Sequence, residues 1–585
     1  MRVLGIAALA ALGACASGSV LGMAKEVTPQ MEYGKTLKDY QSISPGGDTP
    51  FGESINPATG ELHFSQTDIV LKGIGPDIRL VRTNKTSQSY ANGVFGDWDL
   101  SIPRIETMLK DDPKTIVPAG ENWRVGLANT LDRCTQFESP LLAMDDWWHG
   151  YDFITEDGAR QLLLKRAPEN NAPRPNMLDA TGTPMVFPAL TLSNWQIGCL
   201  PGTSNGQPGE GYLAISPDGT QYSLDHLVDA AASSVIEDDP DANRIHRRFA
   251  TMLATQVRDR FGNWVRYRYA NGLLTGITAK DGREVSITWN GAHPVIDRIT
   301  VMPGTASARA WSYSYDFAVN PATSVVTSAR LAGVRLPDGS SWAFSTAGNV
   351  DFDPQSIKRL TDCDIRRGDQ LSTHYTPRTT TVTSPTGAIG TFVRSVAWRG
   401  RSYVESTCRH VSGRMPYETR PAIFGTYVLT QRTISGAGLT PRTWTYTYPV
   451  AQASTNADTC AAAGHCVDTS YVDIRDPAGN RTRQTYSTRW GMTEGRVLRT
   501  EQYQGESTLL RTTTMTYASP GQGPWPARVG ISRLGPKSNR DKLERLAPVL
   551  TTTIVQQGRA FSSSVQAFDI FGRPTQVKRS SAPAP

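Results

Sequence analysis

The chain has 585 residues, 38% hydrophobic and 19% charged, and its 60 Lys and Arg against 54 Asp and Glu leave a formal net charge of +6. That length exceeds one ordinary core, so several domains or a repeat array are expected. The basic residues are scattered among the acidic ones rather than gathered in a stripe, which excludes the electrostatic footprint of a nucleic-acid binder.

The first segment, MRVLGIAALAALGACASGSVLGMAK, has a basic start at Arg2 and an apolar stretch from Val3 to Leu12. It is too short and too rich in small residues to span a bilayer and reads as a signal peptide over 1–24. Leu12-Gly13-Ala14-Cys15 has the form of a bacterial lipobox, which would make Cys15 a lipidated first residue; a plain cut after Ala24 is the alternative. Either way the chain is expected to be exported: secreted, at the cell surface, or tethered to the outer membrane through Cys15. Residues 25–50, with SISPGGDTP, read as a linker.

From residue 51 the pattern is strand and turn. In GESINPATGELHFSQTDIVLKGIGPDIRLVRTNKT, Leu62 and Phe64, Ile69 and Leu71, and Ile78 and Leu80 alternate with polar residues between Gly and Pro breaks. VFGDWDLSIPRIE closes the series, with Trp98 as a core anchor. DDWWHGYDFITEDGARQLLLKR and GYLAISPDGTQYSLDHL each carry an Asp-Gly between apolar runs, at 157–158 and 218–219. This predicts hairpins with type I′ turns, in which both central residues take positive φ. The polar stretch Asp229–Asn243 is expected as a surface loop with one short helical turn.

DRFGNWVRYRYANGLLTGITAKDGREVSITW, Asp259–Trp289, places Val265, Tyr267 and Tyr269 on one strand face and Arg266 and Arg268 on the other. Asn271-Gly272 turns the chain. Leu274 and Ile277 break strict alternation, which signals a bulge. Val285, Ile287 and Trp289 then form the next inward row. Variants of the unit return at WSYSYDF, VRLPDGSSWAF, TVTSPTGAIGTFV, VDIRDPAGNRTRQTYS and AFDIFGRPTQVKR, while NRDKLERLAP reads as a short helix. A lone hairpin is unstable in water, so each must lie against its predecessor and the array must grow as one sheet. The expected fold class is all-β: a β domain over 51–250, then repeat hairpins over 251–585 in a spiralling sheet.

These residues resemble a known family. Asp-x-x-Gly-Asn, Tyr-x-Tyr, a Gly turn and Asp-Gly-Arg are similar to the YD repeat of Rhs proteins, whose relatives include the C components of insecticidal toxin complexes and the teneurins. The block from Gly52 to Glu106, with its Gly-x-x-x-Asn-x-x-Thr-Gly start and Phe-Gly-x-Trp end, resembles the domain that opens many Rhs proteins. The resemblance implies a β-ribbon forming part of a hollow shell. It further implies a role in enclosing or presenting a polypeptide such as a toxin, or in adhesion at the cell surface. The partners so implied are a polypeptide cargo or a shell-completing chain, with a surface glycan as the alternative. The family's shell-closing stretch and its variable toxin segment have no counterpart before RPTQVKRSSAPAP.

Setting Cys15 aside leaves Cys134, Cys199, Cys363, Cys408, Cys460 and Cys466, an even number that suits disulfides in an exported chain. Pairing of sequence neighbours is the simplest expectation. The competing assignment for CAAAGHC is a metal site of Cys460, His465 and Cys466, which lacks a fourth ligand at zinc spacing. No Gly-x-Ser-x-Gly elbow, His-Glu-x-x-His or Gly-rich phosphate loop is present, so no catalytic residue and no cofactor is assigned. DDWWHG at 145–150 offers paired carboxylates beside tryptophans, but Asp145 and Asp146 would face opposite ways on a strand. Arg247-Arg248 and Arg366-Arg367 are expected on solvated faces.

Overall fold

The computed structural model describes residues 49–85, 93–110, 123, 132–137, 150–235, 245–347, 377–405, 408–409, 417–418, 422–519, 521–532 and 544–584. Within them the chain is nearly all β. The strands β1 (Glu53–Ile55), β2 (Leu62–Leu71), β3 (Ile78–Lys85) and β4 (Asp99–Leu100) pair in that order as a separate antiparallel sheet. An extra residue at Asp68 shifts the register between Thr67 and Ile69, which is why the inward row passes from Leu62, Phe64 and Gln66 to Ile69 and Leu71.

Next come β5 (Arg104–Lys110), β6 (Asp152–Ile154), β7 (Arg160–Leu162), β8 (Leu164–Arg166), β9 (Ala189–Leu190), β10 (Gln196–Leu200), β11 (Gly211–Ile215), β12 (Gln221–Val235) and β13 (Ile245–Arg258). β7 and β8 are two halves of one run interrupted at Leu163. Every other consecutive pair is antiparallel, and β13 also pairs with β5, so this ladder returns to its start. It encloses its own core, in which Trp123 stacks on Tyr212 at 5.3 Å and Phe153 meets Trp195 at 4.7 Å between ring centroids.

Beyond β5, on the same edge of β13, a ribbon of antiparallel neighbours runs on through β14 (Trp264–Ala270), β15 (Leu273–Ala279), β16 (Glu284–Trp289), β17 (Ile296–Val301), β18 (Arg309–Val319), β19 (Val326–Arg335), β20 (Ser341–Ala347), β21 (Arg378–Thr383) and β22 (Ile389–Gly400). The pair β23 (Cys408–Arg409) and β24 (Tyr417–Glu418) stands apart. The ribbon resumes with β25 (Ile423–Gly436), β26 (Leu439–Thr447), β27 (Thr469–Arg475), β28 (Arg481–Ser487), β29 (Val497–Gln504) and β30 (Thr508–Tyr517). The single described helix, α1 (Thr459–Ala462), lies between β26 and β27. β31 (Gly530–Ile531) leaves the ribbon to pair with β8, and β32 (Val549–Gln556), β33 (Arg559–Phe568) and β34 (Pro574–Pro583) extend the sheet from β30. This long sheet is not closed into a barrel.

The hairpin chemistry corrects one sequence expectation. At Asp157-Gly158, Asp218-Gly219, Asp281-Gly282 and Asp338-Gly339 only the glycine has positive φ, between 82° and 89°. In each, the glycine N–H donates to the carbonyl three residues back, as Gly219 does to Ser216 at 2.9 Å. These are type I turns closed by a left-handed glycine, and SPDG, LPDG, SPTG and DPAG suit them because proline presets φ at the second position. Asp-Gly therefore supplies the last two positions of a type I turn, not the centre of a type I′ turn. Asn271-Gly272, with φ of 50° and 77°, does have both residues left-handed. The predicted bulge is present: Thr275 is the extra residue between the pairs Arg268↔Gly276 and Tyr269↔Leu274.

Two further expectations fail. β12 continues to Val235 where a loop was expected from Asp229, because its small residues form a ladder with β13 that reaches Ile245. Arg247 is only 2% exposed rather than solvated, since β13 is paired on both edges there, while Arg248 bonds Asp229 at 3.0 Å. Arg366 and Arg367 lie outside the described residues, as do Cys15, residues 1–48 and 539–543, the first half of NRDKLERLAP. The expected boundary at residue 250 falls inside β13.

Candidate functional site: the covered face of the ribbon and its bare extension

The ribbon strands β14 to β27 present one apolar row each, built by period-two alternation: Val265, Ile277, Val285, Ile299, Trp311, Val334, Val382, Phe392, Leu429, Trp444 and Val472 are all at most 7% exposed. The β1–β4 sheet covers this face. Phe64 meets Phe392 edge-on at 5.0 Å, Trp98 meets Phe344 at 5.1 Å, and Phe95 meets Tyr313 at 4.5 Å.

Polar pins fix the register of the two layers. Glu53 and Arg432 lie 2.8 Å apart with no exposed side-chain surface on either, and the Arg432 guanidinium stands 4.5 Å from the Trp444 ring. Burial pushes the Glu53 carboxyl up, and the Arg432 charge opposes this. Asp68 accepts from Arg82 on its own sheet and from the Tyr313 hydroxyl of the ribbon at 3.0 Å. Asp97 accepts the Leu331 N–H at 2.9 Å and is itself raised by burial. Arg399 donates to the Ala58 carbonyl at 3.1 Å and to the Tyr486 hydroxyl; burial lowers it to about 10. These groups fit only one register of sheet on ribbon, so they position as well as bind.

The wall changes character beyond β28. No residue of β30, β32 or β33 is buried, and all of β34 is exposed. Short polar side chains pair across the strands there, as in Thr516–Thr551 at 2.6 Å and Thr553–Ser562 at 3.2 Å, while Leu509, Leu510, Val549, Phe561 and Val577 are apolar yet exposed. Among the described residues this stretch is a single layer without a buried side chain; Trp525 meets Phe568 of β33 edge-on at 5.2 Å, and the segment is tied back by β31 on β8 and by Asn170 donating to the Val529 carbonyl at 2.7 Å.

Where the β1–β4 sheet, the ring and the start of the ribbon meet, a cavity of about 250 Å³ opens. Trp98, Phe249, Tyr269, Trp289 and Ile296 supply apolar walls. One side is a run of ion pairs: Asp99–Arg104 at 2.6 Å, Arg104–Glu106 at 3.0 Å, Glu106–Arg160 at 2.7 Å and Arg160–Asp152 at 2.6 Å. Burial pulls Arg104 down, but Asp99 and Glu106 outweigh it and hold the guanidinium above its ordinary value. This cluster is not legible in the sequence, because its members come from two separated segments, 99–106 and 152–160, each reading as an ordinary polar strand face.

Cys134 and Cys199 form a disulfide with Cα atoms 5.5 Å apart, and Cys460 and Cys466 form another at 4.8 Å across α1. Cys363 lies outside the described residues, so its pairing with Cys408 is not described. Asp145, Asp146, Trp147, Trp148 and His149 also fall outside them. Among the described residues no group of three or more His, Cys, Asp and Glu side chains is placed to hold a metal, and no helix is long and apolar enough to cross a membrane.

No family model matches the sequence, and neither does any curated protein. Solved structures that match include TcdB2-TccC3, at 9% identity and a TM-score of 0.31 over 94% of this chain and 38% of that one. The Tc holotoxin pore of Photorhabdus luminescens matches at 10% identity and a TM-score of 0.29, over 93% of this chain and 27% of that one. The N-terminal domain of the effector protein SpvB from Salmonella typhimurium matches at 11% identity and a TM-score of 0.18, over 66% and 97%. The chain thus spans well under half the length of the Tc chains it matches.

Proposed function

We propose that the chain is an exported, non-enzymatic scaffold of the Rhs/YD type, whose ribbon forms part of a β-shell that encloses or presents a polypeptide cargo such as a toxin. The observation that carries this reading is the bare single layer from β30 to β34, continuous with a ribbon whose inner face is already filled. A sheet that buries neither face is no core element; it suits a wall with a space on one side. Tandem hairpins joined edge to edge are the economical way to build one. A glycan-binding role has less support, because every described tryptophan is buried or half-buried and offers no open stacking platform.

The test is co-expression of the chain with the polypeptide encoded next to it, followed by limited proteolysis of the purified complex. A scaffold holds the second polypeptide against protease until the ribbon is unfolded. Digestion of that polypeptide at its free rate, or failure of the two to co-purify, overturns the reading.

A further inference from the structure

Three turns converge at one corner of the molecule: the β2–β3 connection at 72–77, the β13–β14 turn at 259–263 and the β15–β16 turn at 280–283. The Ile74 N–H donates to Asp281 Oδ2 at 3.0 Å, Arg283 Nη2 donates to the Pro76 carbonyl at 3.0 Å, and Lys280 Nζ donates to the Gly262 carbonyl at 3.2 Å. The packing leaves no slack. A Cβ built on Gly73 would lie 2.1 Å from Asp281 Oδ2, and one on Gly75 would lie 2.4 Å from Asn263 Cβ. From this rigid corner Ile74 and Phe261 project into solvent, 83% and 73% exposed, the two highest values among the exposed large hydrophobic side chains.

The turn type alone does not force that exposure. Phe571 holds the same place in the turn Asp569–Gly572 and is half-buried. Nor does folding require either side chain, since neither joins a core cluster. Around them stand the exposed basic residues Lys72, Arg258, Arg260 and Lys280. Of the carboxylates there, Asp259 is taken up by the Phe261 and Asn263 N–H groups and Asp281 by Arg283 and Ile74, leaving Asp77 in the open.

We infer that this corner is a docking surface for an anionic lipid membrane, with Ile74 and Phe261 entering the headgroup–acyl boundary and the basic residues meeting lipid phosphates. Two apolar points on separate stiff turns suit a fluid interface that closes around each point. A protein partner would instead need a continuous complementary area. The basic surround selects the charge of the surface.

The test is co-sedimentation of the full chain, carrying Cys15→Ser so that no acyl chain contributes, with vesicles of phosphatidylcholine containing about one-third phosphatidylglycerol. Binding is expected there, with little to pure phosphatidylcholine and a decline as salt rises. The double variant Ile74→Ser/Phe261→Ser is expected to lower the partition coefficient by at least about tenfold. Arg260→Gln/Lys280→Gln is expected to weaken binding to the anionic vesicles alone. Unchanged thermal unfolding of each variant shows that the fold is intact. Failure of the parent chain to bind, or equal binding by the parent and the Ile74/Phe261 variant, overturns the inference and leaves the corner to a protein partner.

Discussion

Glu53 and Arg432 are 379 positions apart in sequence and 2.8 Å apart in space, neither exposing any side-chain surface. The pair joins the first strand of the N-terminal sheet to the middle of the ribbon. Removing one partner strands the other charge in a dry interface. Glu53→Ala is expected to cost about 3–5 kcal/mol of stability, and Glu53→Leu/Arg432→Met markedly less than the two single changes added together. Urea denaturation of the four proteins in the cycle measures both.

Gly52 and Gly339 separate two reasons for glycine. Both have positive φ, 73° and 87°. A Cβ at Gly339 meets nothing within 4 Å, so Gly339→Ala is expected to cost only the left-handed strain, about 1–2 kcal/mol. A Cβ at Gly52 would lie 2.0 Å from the Ser65 carbonyl oxygen. Gly52→Ala must therefore also push the first sheet off its own strand, and its melting temperature should fall well below that of Gly339→Ala.

The turn carboxylates make the ribbon acid-sensitive. The Asn263 side chain holds Asp259, the Arg283 side chain holds Asp281 and the Ser340 hydroxyl holds Asp338 below the ordinary aspartate value of 3.8. A carboxyl with a lower pKa in the folded state adds stability that is complete above its unfolded value and is lost as pH falls through its folded value. Urea midpoints should therefore decline from about pH 4 downward. Asp259→Asn/Asp338→Asn should flatten that decline; an unchanged acid limb contradicts the assignment.

The disulfide Cys134–Cys199 ties residues 132–137 onto β10, where Glu210 also caps the Cys134 N–H at 2.9 Å. Replacing both cysteines by serine should cost about 2–4 kcal/mol. The loss should appear as faster amide exchange in 196–215, with strands β32–β34 unchanged.

Much of the ribbon is legible in the sequence because a half-buried strand writes its inner face at every second residue, as Val265, Tyr267 and Tyr269 do, and because glycine marks each turn. The turn type is not legible from Asp-Gly alone, which serves two geometries; a proline ahead of it marks the type I turn in SPDG and LPDG, but the turns ending at Gly158 and Gly282 take the same form without one. The extension of β12 was hidden by Ala230 to Ser234, which carry no strand propensity and owe their conformation to β13. What lay beyond reach was the tertiary pairing. Nothing local tells Glu53 that its partner is Arg432, or that the first sheet fills the ribbon, since long-range contacts leave no periodicity.

The measurement that bears most directly on the scaffold account is an experimental density map of the full chain at side-chain resolution. The account predicts an unbroken run of antiparallel neighbours from Trp264 to Thr447, sheet 53–100 seated on its inner face with Glu53 against Arg432, and a single bare layer over 549–583. Separate β-sandwiches each with a core of its own, or a second layer of this same chain covering β32 to β34, would contradict it.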